Sequence, residues 1–392
     1  MIAPTPFFSH RGTHIRILEE ARALERLGYD VVIVTYHNGD DIYNYIDTKI
    51  DVRRIRRWLF WYKKTEAGPD WQKIFLNVFL IVKSFNMIRR QKPDVIHAHL
   101  HEGVLIGRIM QLLFFWRNIP LVSDFHGSLV GEMQSHGYLK ISLFSKIFSF
   151  AEKVINGLGD VALVSGKENI DIIRAARSDK KVIHLHDGVN IAQYCKKYDK
   201  KQLRKLYNIP PDKFVVIYTG ALIENKGIKH FLSAIVEITK KFDDIHFVIG
   251  GFPIEWVEKY IDKNKLRDYV SIVSPLNYFD LPKINKLADV AVDPKDSSVQ
   301  QASGKLLQYM AAEVGIICAD RPTNHKYLSN NSALFLKQVN KNTVSDAIQR
   351  FYNDRELLNS CAANAKKDVE KFDWFEIGKK LSYIYKSLSK NS

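Results

Sequence analysis

Cysteine is scarce in this sequence, with three residues in 392 positions. Cys195, Cys318 and Cys361 lie far apart and show no paired spacing. A disulfide framework or a cysteine-bound zinc site is therefore not expected. The composition is typical of a reducing compartment, and we expect a cytoplasmic protein.

Long hydrophobic runs are also missing. Lys83 and Arg117 interrupt the longest apolar stretches, which are too short to cross a bilayer, and no secretory signal is recognised. With 46% hydrophobic and 26% charged residues, the composition is that of an ordinary globular protein. We therefore expect a soluble protein, or one that lies peripherally on the inner face of the cytoplasmic membrane.

Acidic residues are too few to balance the basic ones. The chain has 58 lysines and arginines against 43 aspartates and glutamates, a formal net charge of +15. Such an excess suits acidic small substrates such as nucleotides, an anionic membrane surface or nucleic acid. The segment 53–64, RRIRRWLFWYKK, mixes cations with aromatic rings, as do surfaces that meet lipid headgroups. Its alternatives are a basic loop anchored in its own domain and a nucleic-acid contact.

Metal-binding and P-loop motifs are absent as well. The chain has no D-x-D pair that would hold a metal-bound diphosphate, no H-E-x-x-H and no G-x-x-x-x-G-K-[ST]. These absences argue against metal-held diphosphate, zinc hydrolysis and P-loop phosphate binding.

Apolar runs of strand length alternate with helical periods in both halves of the chain. We predict strands in the first half at 1–3, 31–36, 94–101, 120–127, 161–165 and 181–189, and in the second half at 214–220, 245–251, 270–274, 289–294 and 316–320. Strands separated by helical segments predict an α/β fold with parallel sheets covered on both faces.

A polar and basic stretch at 191–212 divides the two halves. We interpret it as a linker between an N-terminal domain, 1–190, and a C-terminal domain, 213–370. Residues 371–392 predict a final amphipathic helix. Two α/β halves of similar size predict a cleft between them, with ligands outside the carboxyl ends of the strands.

Histidines mark the strand ends of the first half. His97, His99 and His101 alternate with a period of two and are predicted to point to one face. Such spacing can hold a metal, but no acidic or cysteine residue has matching spacing. We therefore expect a polar cleft edge and no metal.

Two further features of the first half lie beside predicted strands. His126 ends a strand in DFHGS and is either a cleft residue or a structural histidine. The loop 9–14 brings Gly12 to the start of a helix, where free backbone N–H groups attract an anion. Such a loop is also compatible with a simple turn.

In the second half, a cation lies near the start of each of two predicted helices. Lys226 precedes a helix that starts near Gly227, and it is either a diphosphate ligand or a solvent-facing cation. Ser303 is predicted to cap the next helix, which places Gly304 and Lys305 where N–H groups and a cation meet phosphate. The alternative is a plain capped helix.

In this order, the segments resemble family 4 of the retaining glycosyltransferases. The matching segments are PTPFFSHRGTHIRILEEARALERLGYDVVIVT, DVIHAHLHEG, DFHGS, DGVN, YTGALIENKGI, ADVAVDPKDSS, SGKLLQYMAAEVGIICAD and FDW. The resemblance implies the GT-B fold, in which two Rossmann-like domains face each other across a cleft and the final helix returns to the first. It also implies metal-independent sugar transfer from a nucleotide-sugar, with retention of anomeric configuration.

The resemblance also implies residue roles. His126 would contact the transferred sugar, and Lys226 would contact the diphosphate. Lys305 is expected to be a further catalytic cation. The donor-binding residues would be Arg11, Gly12, Gly220, Gln300, Gln301, Ser303, Gly304 and Gln308, and the acceptor-side candidates are His99, His101 and Glu102. We expect a UDP- or GDP-sugar donor, a glycan or lipid-linked acceptor, and neither a further cofactor nor nucleic acid.

Three departures from the family pattern are visible. Gln308 and Gln300, or Gln301 in an alternative alignment, stand where the family has two glutamates, and glutamine carries no charge. Ala221 replaces an arginine that often follows the strand-end glycine. A single glycine after Arg11 replaces a double glycine.

These departures keep two alternatives open beside sugar transfer in polysaccharide biosynthesis. One is a non-catalytic protein that binds a sugar nucleotide. The other is a different GT-B enzyme such as a nucleotide-sugar epimerase, for which Glu102 and Glu132 are the carboxylates to consider.

Overall fold

The structure, a computed structural model, describes residues 1–64, 70–135, 142–166, 169–177, 181–295 and 303–389. The chain divides into two compact units. Unit 1 comprises Met1–Asp187 and Trp374–Ser392, and unit 2 comprises Gly188–Asp373.

Unit 1 is built on a seven-stranded parallel sheet with the order β3-β2-β1-β4-β5-β6-β7. The strands are β1 (Ile2–Ala3), β2 (Val32–Thr35), β3 (Asp51–Arg54), β4 (Ile96–His99), β5 (Leu121–Phe125), β6 (Val161–Val164) and β7 (Lys181–His184). Most are short β-branched or apolar runs buried on both faces, as parallel sheets require.

Helices cover both faces of this sheet. They are α1 (Gly12–Arg26), α2 (Gln72–Gln91), α3 (Leu100–Leu113), α4 (Leu129–Ser135), α5 (Ser142–Asn156), α6 (Ile170–Ala175) and the C-terminal helix α16 (Trp374–Ser389). Helices α1 and α16 share one core with Val122 of β5, whereas α2 and α3 share the other core with Leu121. A Cβ at Gly378 would lie 2.5 Å from the Ala23 Cβ, so glycine permits the close approach of α1 and α16.

Unit 2 contains a six-stranded parallel sheet with the order β10-β9-β8-β11-β12-β13. The strands are β8 (Phe214–Ala221), β9 (Ile245–Phe252), β10 (Val270–Val273), β11 (Val290–Asp293), β12 (Gly315–Ala319) and β13 (Leu334–Leu336). The helices are α7 (Ile191–Tyr194), α8 (Lys200–Leu206), α9 (Ile228–Ile238), α10 (Glu255–Lys263), α11 (Leu281–Lys286), α12 (Gly304–Ala312), α13 (Pro322–His325), α14 (Lys341–Asn353) and α15 (Arg355–Val369). Two separate apolar cores pack against the two faces of the sheet.

The predicted fold class is confirmed, since both units are parallel α/β sheets of Rossmann type. The sequence did not predict β3 or β13, which are short strands at the edges of the sheets. The segment 191–212 requires a correction. It forms α7 and α8 inside unit 2, because Tyr194, Leu203 and Ile209 are buried in the core.

The cysteines form no disulfide with one another: Cys195 is exposed, and Cys318 and Cys361 are buried. In the part of the chain that the structure describes, no helix has both the length and the apolar character that a membrane crossing requires.

Candidate functional site

The polar residues of unit 2 gather at the carboxyl ends of β8, β11 and β12. Asp293, the last residue of β11, is fully buried. The Lys305 Nζ atom lies 3.1 Å from an Asp293 carboxylate oxygen and 3.9 Å from the centroid of the Tyr218 ring. Burial opposes ionisation of Asp293, but Lys305 and the Ser303 hydroxyl together hold its pKa below the ordinary value. Asp293 is therefore an anchoring anion.

Further cations surround this pair. Burial and the neighbouring Lys305 lower the pKa of Lys226. Burial, Lys226 and Arg321 lower the pKa of Lys295 to about 7. We call Lys226, Lys295, Lys305 and Arg321 the cation cluster. Within the part of the chain that the structure describes, four cationic side chains thus lie around one buried carboxylate, and a bound anion relieves the mutual repulsion of such cations.

The backbone places Lys226 at this edge through a tight turn. Lys226 ends a short 3₁₀ turn, and Gly227 follows with a φ of +74° before α9 begins at Ile228. A Cβ at Gly227 would lie 1.7 Å from the Pro294 carbonyl oxygen, directly after β11. Only glycine therefore lets this turn pack against the end of β11.

The start of α12 differs in one respect from the prediction. Ser303 occupies the N-cap position, but its side chain makes no hydrogen bond to the helix. The Ser303 hydroxyl instead helps to lower the pKa of the Asp293 carboxyl. The capping role predicted for Ser303 is therefore wrong. Gly304 begins the helix and is exposed, and a Cβ there would meet no atom of the described residues within 4 Å.

The remaining donor-side candidates are distributed around the same edge. Gly220, near the end of β8, has a φ of +133°, and a Cβ built on it would lie 3.6 Å from the Lys305 Nζ atom. Gln308 is half-buried on α12, one turn after Gly304. Gln300 and Gln301 lie outside the described residues.

Unit 1 has its own buried polar group, which we call the Arg16 network. The Arg16 guanidinium lies 3.1 Å from Asp124, 3.0 Å from Glu20 and 2.9 Å from Asp187. Burial opposes ionisation of Asp124, but Arg16 and His126 hold its pKa well below the ordinary value. Burial raises the pKa of Glu20 well above the ordinary value in spite of Arg16.

Three histidines contact the Asp124 carboxylate. One Asp124 oxygen lies 3.3 Å from His99 Nδ1, 3.4 Å from His126 Nε2 and 3.7 Å from His97 Nε2. The Tyr385 hydroxyl lies 2.7 Å from His97 Nδ1. Burial lowers the pKa of both His97 and His99, so these two rings are neutral at neutral pH.

The structure brings together four side chains of the types that bind metal ions, a group that the spacing of the histidines in sequence did not indicate. One atom from each of Glu20, His97, His99 and Asp124 lies within 4.8 Å of the others, and all four residues are buried. The Arg16 guanidinium contacts both carboxylates and so already supplies the positive charge at this point. The acidic partners were missed because they come from α1 and β5, far from the histidines in sequence.

The prediction that three alternating histidines share one face is wrong. β4 ends at His99 and α3 begins at Leu100, so the period of two stops before His101. The rings of His97 and His99 stack with centroids 4.2 Å apart. His101 lies instead beside Glu152, with its Nε2 3.7 Å from the carboxylate. Glu102 is half-buried in the first turn of α3, and the side chain of Glu132 lies outside the described residues.

The first loop is anchored at its base. His14 hydrogen-bonds to the hydroxyls of Thr5 and Ser9, and burial lowers the pKa of His14 to about 3. Arg11 takes an extended conformation at the N-cap of α1, and Gly12 is the first helical residue. A Cβ at Gly12 would meet nothing within 4 Å, so there is space beside it.

One cavity of unit 1 lies away from the first loop and from His126. It has a volume of about 980 Å³ and is lined by residues such as Met1, Val32 and Val95 at the amino ends of the strands. His126 and His99 lie at the carboxyl ends. The cavity therefore belongs to the edge of the sheet where α/β folds do not place their ligands.

Sequence reasoning missed several site residues. Asp293 lies near the carboxyl end of a predicted strand, and Lys295 and Arg321 directly follow predicted strands; charged residues at such positions are the signal that would have identified them. Arg16 and Glu20 lie four residues apart on the apolar face of α1, where charged residues are out of place unless they are paired.

Two family models match consecutive parts of the chain. Residues 10–193 match the family model described as Glycosyltransferase Family 4, and residues 199–368 match that of Glycosyl transferases group 1. The chain is 23% identical to the alpha-D-kanosaminyltransferase of Streptomyces kanamyceticus, over 79% of this chain and 81% of that protein. It is 21% identical to a phosphatidylinositol N-acetylglucosaminyltransferase subunit of Saccharomyces cerevisiae, over 97% of this chain and 81% of that protein.

Among solved structures, the Anabaena protein HepE in complex with UDP-glucose superposes with a TM-score of 0.73. The match covers 98% of each chain at 14% sequence identity, which shows a shared fold. Together with the two family matches, this shows that the chain belongs to the group 1 glycosyltransferases and has the GT-B fold, so that it is a nucleotide-sugar-dependent glycosyltransferase.

Proposed function

We propose that the protein transfers a sugar from a UDP- or GDP-sugar to a glycan or lipid-linked acceptor, with retention of anomeric configuration and without a metal ion. The cation cluster is the observation that carries this proposal. Lys226, Lys295, Lys305 and Arg321 face one buried carboxylate, Asp293, beside the start of α12. A nucleoside diphosphate supplies the negative charge that such a group attracts.

The main chemical task is to stabilise the departing diphosphate. Negative charge grows on the phosphate oxygen as the bond to the sugar breaks, and Lys226, Lys305 and the N–H groups of α12 stabilise it. The acceptor hydroxyl oxygen forms the new bond to the anomeric carbon on the same face. Its proton passes to the departing phosphate oxygen, so the step requires no carboxylate base.

Unit 1 contributes a positioned histidine. The resemblance assigns His126 to the transferred sugar, and the Asp124 and His99 side chains contact its Nε2 atom. Because Asp124 is itself held by Arg16, this ring has a fixed orientation. Its proposed role is to orient a sugar hydroxyl.

Donor binding can be tested by thermal stabilisation with UDP-, GDP- and ADP-sugars and with the free nucleotides. We expect one nucleotide to raise the melting temperature, because a ligand that binds only the folded state stabilises it. Lys226→Ala should remove that shift. Lys229→Ala is the matched control, since Lys229 is an exposed lysine close by in the chain, the second residue of α9, and is paired with Glu224. An unchanged shift in Lys226→Ala would contradict the proposal.

The reaction itself separates an enzyme from a binding protein. We expect product to form in the presence of EDTA and its anomeric configuration, measured by NMR, to equal that of the donor. Nucleotide binding without turnover for any acceptor would favour the non-catalytic alternative that the two glutamines suggest. A product of inverted configuration would contradict retention.

We also propose a lipid-linked acceptor and a peripheral location on the inner face of the cytoplasmic membrane. In the segment 53–64, Trp58, Phe60 and Trp61 are exposed while Tyr62 is buried as an anchor. One relative is named for transfer to phosphatidylinositol, which supports a lipid acceptor class. Cell fractionation tests the location: recovery in the soluble fraction alone at low salt would contradict it.

A further inference from the structure

Helix α2 has an apolar stripe on each of two opposite sides. Leu76, Leu80 and Ile88 are buried in the core of unit 1. A second stripe, spaced three to four residues apart, faces outward and consists of Trp71, Ile74, Phe75, Val78 and Val82. Each of these side chains is at least 50% exposed. An ordinary surface helix carries polar residues on this side.

The neighbouring helices continue this surface. Helix α2 packs on α3, and α3 packs on α5, so the three helices form one layer over the sheet. Their outer sides also expose apolar residues, namely Leu105, Leu112 and Leu113 of α3, Phe115 and Trp116 after it, and Ile147, Phe150 and Val154 of α5. We call this surface the outer helix face. Such a contiguous apolar patch marks an interaction site.

The segment 53–64 joins the outer helix face at its edge. The Trp58 ring stacks on Phe79 of α2 with centroids 6.3 Å apart. The Trp61 indole N–H donates to the Gln72 side-chain oxygen over 3.0 Å. The exposed tryptophans therefore extend the apolar surface of α2.

The charge of the three helices indicates what kind of partner binds the outer helix face. Helices α2, α3 and α5 contain seven lysines and arginines: Lys73, Lys83, Arg89, Arg90, Arg108, Lys146 and Lys153. They contain two acidic residues, Glu102 and Glu152, and Glu152 is buried. An apolar surface with aromatic rings and cations matches the interface of an anionic bilayer, where rings lie at headgroup level and cations meet phosphate.

We propose that the outer helix face of unit 1 docks onto an anionic lipid bilayer. The rings of Trp71, Phe75 and Trp116 lie in the headgroup layer, and the basic residues contact the phosphates. The docked surface lies along the plane of the membrane, so docking requires no membrane-spanning helix. Docking does not depend on the donor or the acceptor proposed above. The surface consists of α2, α3 and α5 together with adjoining residues such as Trp58, Trp61 and Trp116.

Vesicle co-sedimentation of the full chain tests this docking. The probes are vesicles of phosphatidylcholine alone and of phosphatidylcholine with about 30% phosphatidylglycerol. We expect binding to the anionic vesicles that weakens as salt is raised. The triple variant Phe75→Gln, Val78→Gln, Val82→Gln should bind at least about tenfold more weakly, because it removes apolar area from the contact.

A double variant of exposed apolar residues elsewhere serves as the matched control. Leu206 of α8 and Tyr383 of α16 are 69% and 71% exposed, and Leu206→Gln with Tyr383→Gln should leave vesicle binding unchanged. A cooperative melting transition in the triple variant, equal to that of the parent protein, shows that it is folded. Lysine and arginine contacts are tested separately by Arg89→Gln with Arg90→Gln, which should reduce the salt dependence.

Three results would overturn the proposal. One is equal vesicle binding by the parent protein and the folded triple variant. Another is equal affinity for neutral and anionic vesicles. The third is a parent protein that does not bind vesicles but sediments as a dimer, while the triple variant sediments as a monomer. That result would assign the outer helix face to contact with a second copy of the chain.

Discussion

The two units share one architecture but arrange charge differently at the carboxyl ends of their strands. In unit 1, one buried guanidinium, Arg16, is surrounded by the carboxylates of Asp124, Glu20 and Asp187. In unit 2, one buried carboxylate, Asp293, is surrounded by the cation cluster. Among the described residues, the first arrangement places carboxylates around a cation, whereas the second places cations around a carboxylate. A diphosphate is therefore expected in unit 2 and not in the Arg16 network.

The outer surfaces differ as well. Among the described residues, unit 2 strongly exposes three large apolar side chains, Leu206, Ile223 and Phe252, whereas unit 1 exposes nineteen. Many of those of unit 1 belong to the outer helix face. The same fold thus exposes few large apolar side chains in unit 2 and many in unit 1.

Removal of the central cation of unit 1 should have the largest effect. Arg16→Met should lower the free energy of unfolding by about 3–5 kcal/mol, because it leaves buried carboxylates without their partner. Urea unfolding followed by tryptophan fluorescence measures this, since Trp374 is buried in unit 1. Arg174→Met removes an exposed ion pair with Asp171 and should leave the midpoint unchanged. Equal midpoints for both variants would contradict the description of the Arg16 network.

Removal of the buried carboxylate of unit 2 should lower the stability less than removal of Arg16. Nucleotide should restore part of the lost stability. Asp293→Asn should lower stability by about 2–3 kcal/mol, because four cations lose their buried counter-charge. Saturating UDP should restore more stability to this variant than to the parent protein, since the diphosphate supplies the missing charge. Thermal melting with and without UDP measures both.

The control for this variant lies just before the same strand. Asp289 precedes β11 and pairs with Arg204 at 2.7 Å and Lys200 at 2.9 Å. Asp289→Asn should also destabilise unit 2, but UDP should stabilise it no more than the parent. Equal rescue of both variants would show that the nucleotide does not bind at the cation cluster.

A smaller effect is expected from pH, through Lys295. Its pKa is lowered from 10.5 to about 7 in the folded protein. Between these values the unfolded chain binds the additional proton, so stability of the nucleotide-free protein rises with pH across this window. Affinity for UDP-glucose should fall by up to about tenfold between pH 6 and pH 8, because the ammonium loses its charge. Titration calorimetry measures this, and Lys295→Met should flatten the profile; an identical profile in the variant would contradict the assignment.

The smallest effect is expected at Gly12. A Cβ there meets nothing within 4 Å, so Gly12→Ala should leave stability unchanged or raise it by about 0.5 kcal/mol. Gly227→Ala is the contrasting substitution in unit 2, where the Cβ would strike the Pro294 carbonyl oxygen, and it should destabilise clearly. Thermal melting compares them, and a strong loss in Gly12→Ala would show that unit 1 constrains this loop.

Much of the fold could be predicted because its signals are local. Runs such as 214–220 and 245–251 are continuous and apolar, and helical periods separate them, so two parallel sheets follow from the pattern. The positions of Lys226 and Lys305 also follow from local pattern, since Lys226 lies between β8 and α9 and Lys305 is the second residue of the helix that comes after β11. The segment 191–212 was harder, because its few core residues are spread among many polar ones.

The sequence by itself determined the architecture, the order of the motifs and the cationic residues at the strand ends of unit 2, because short-range patterns of apolar and charged residues encode them. Tertiary structure alone decided which distant residues meet. Arg16 pairs with Asp124 and Asp187, which are 108 and 171 positions away, and strand order and register bring them together. Tertiary structure also decided which apolar stripe of α2 is buried, because both stripes have helical spacing and only packing against the sheet distinguishes them.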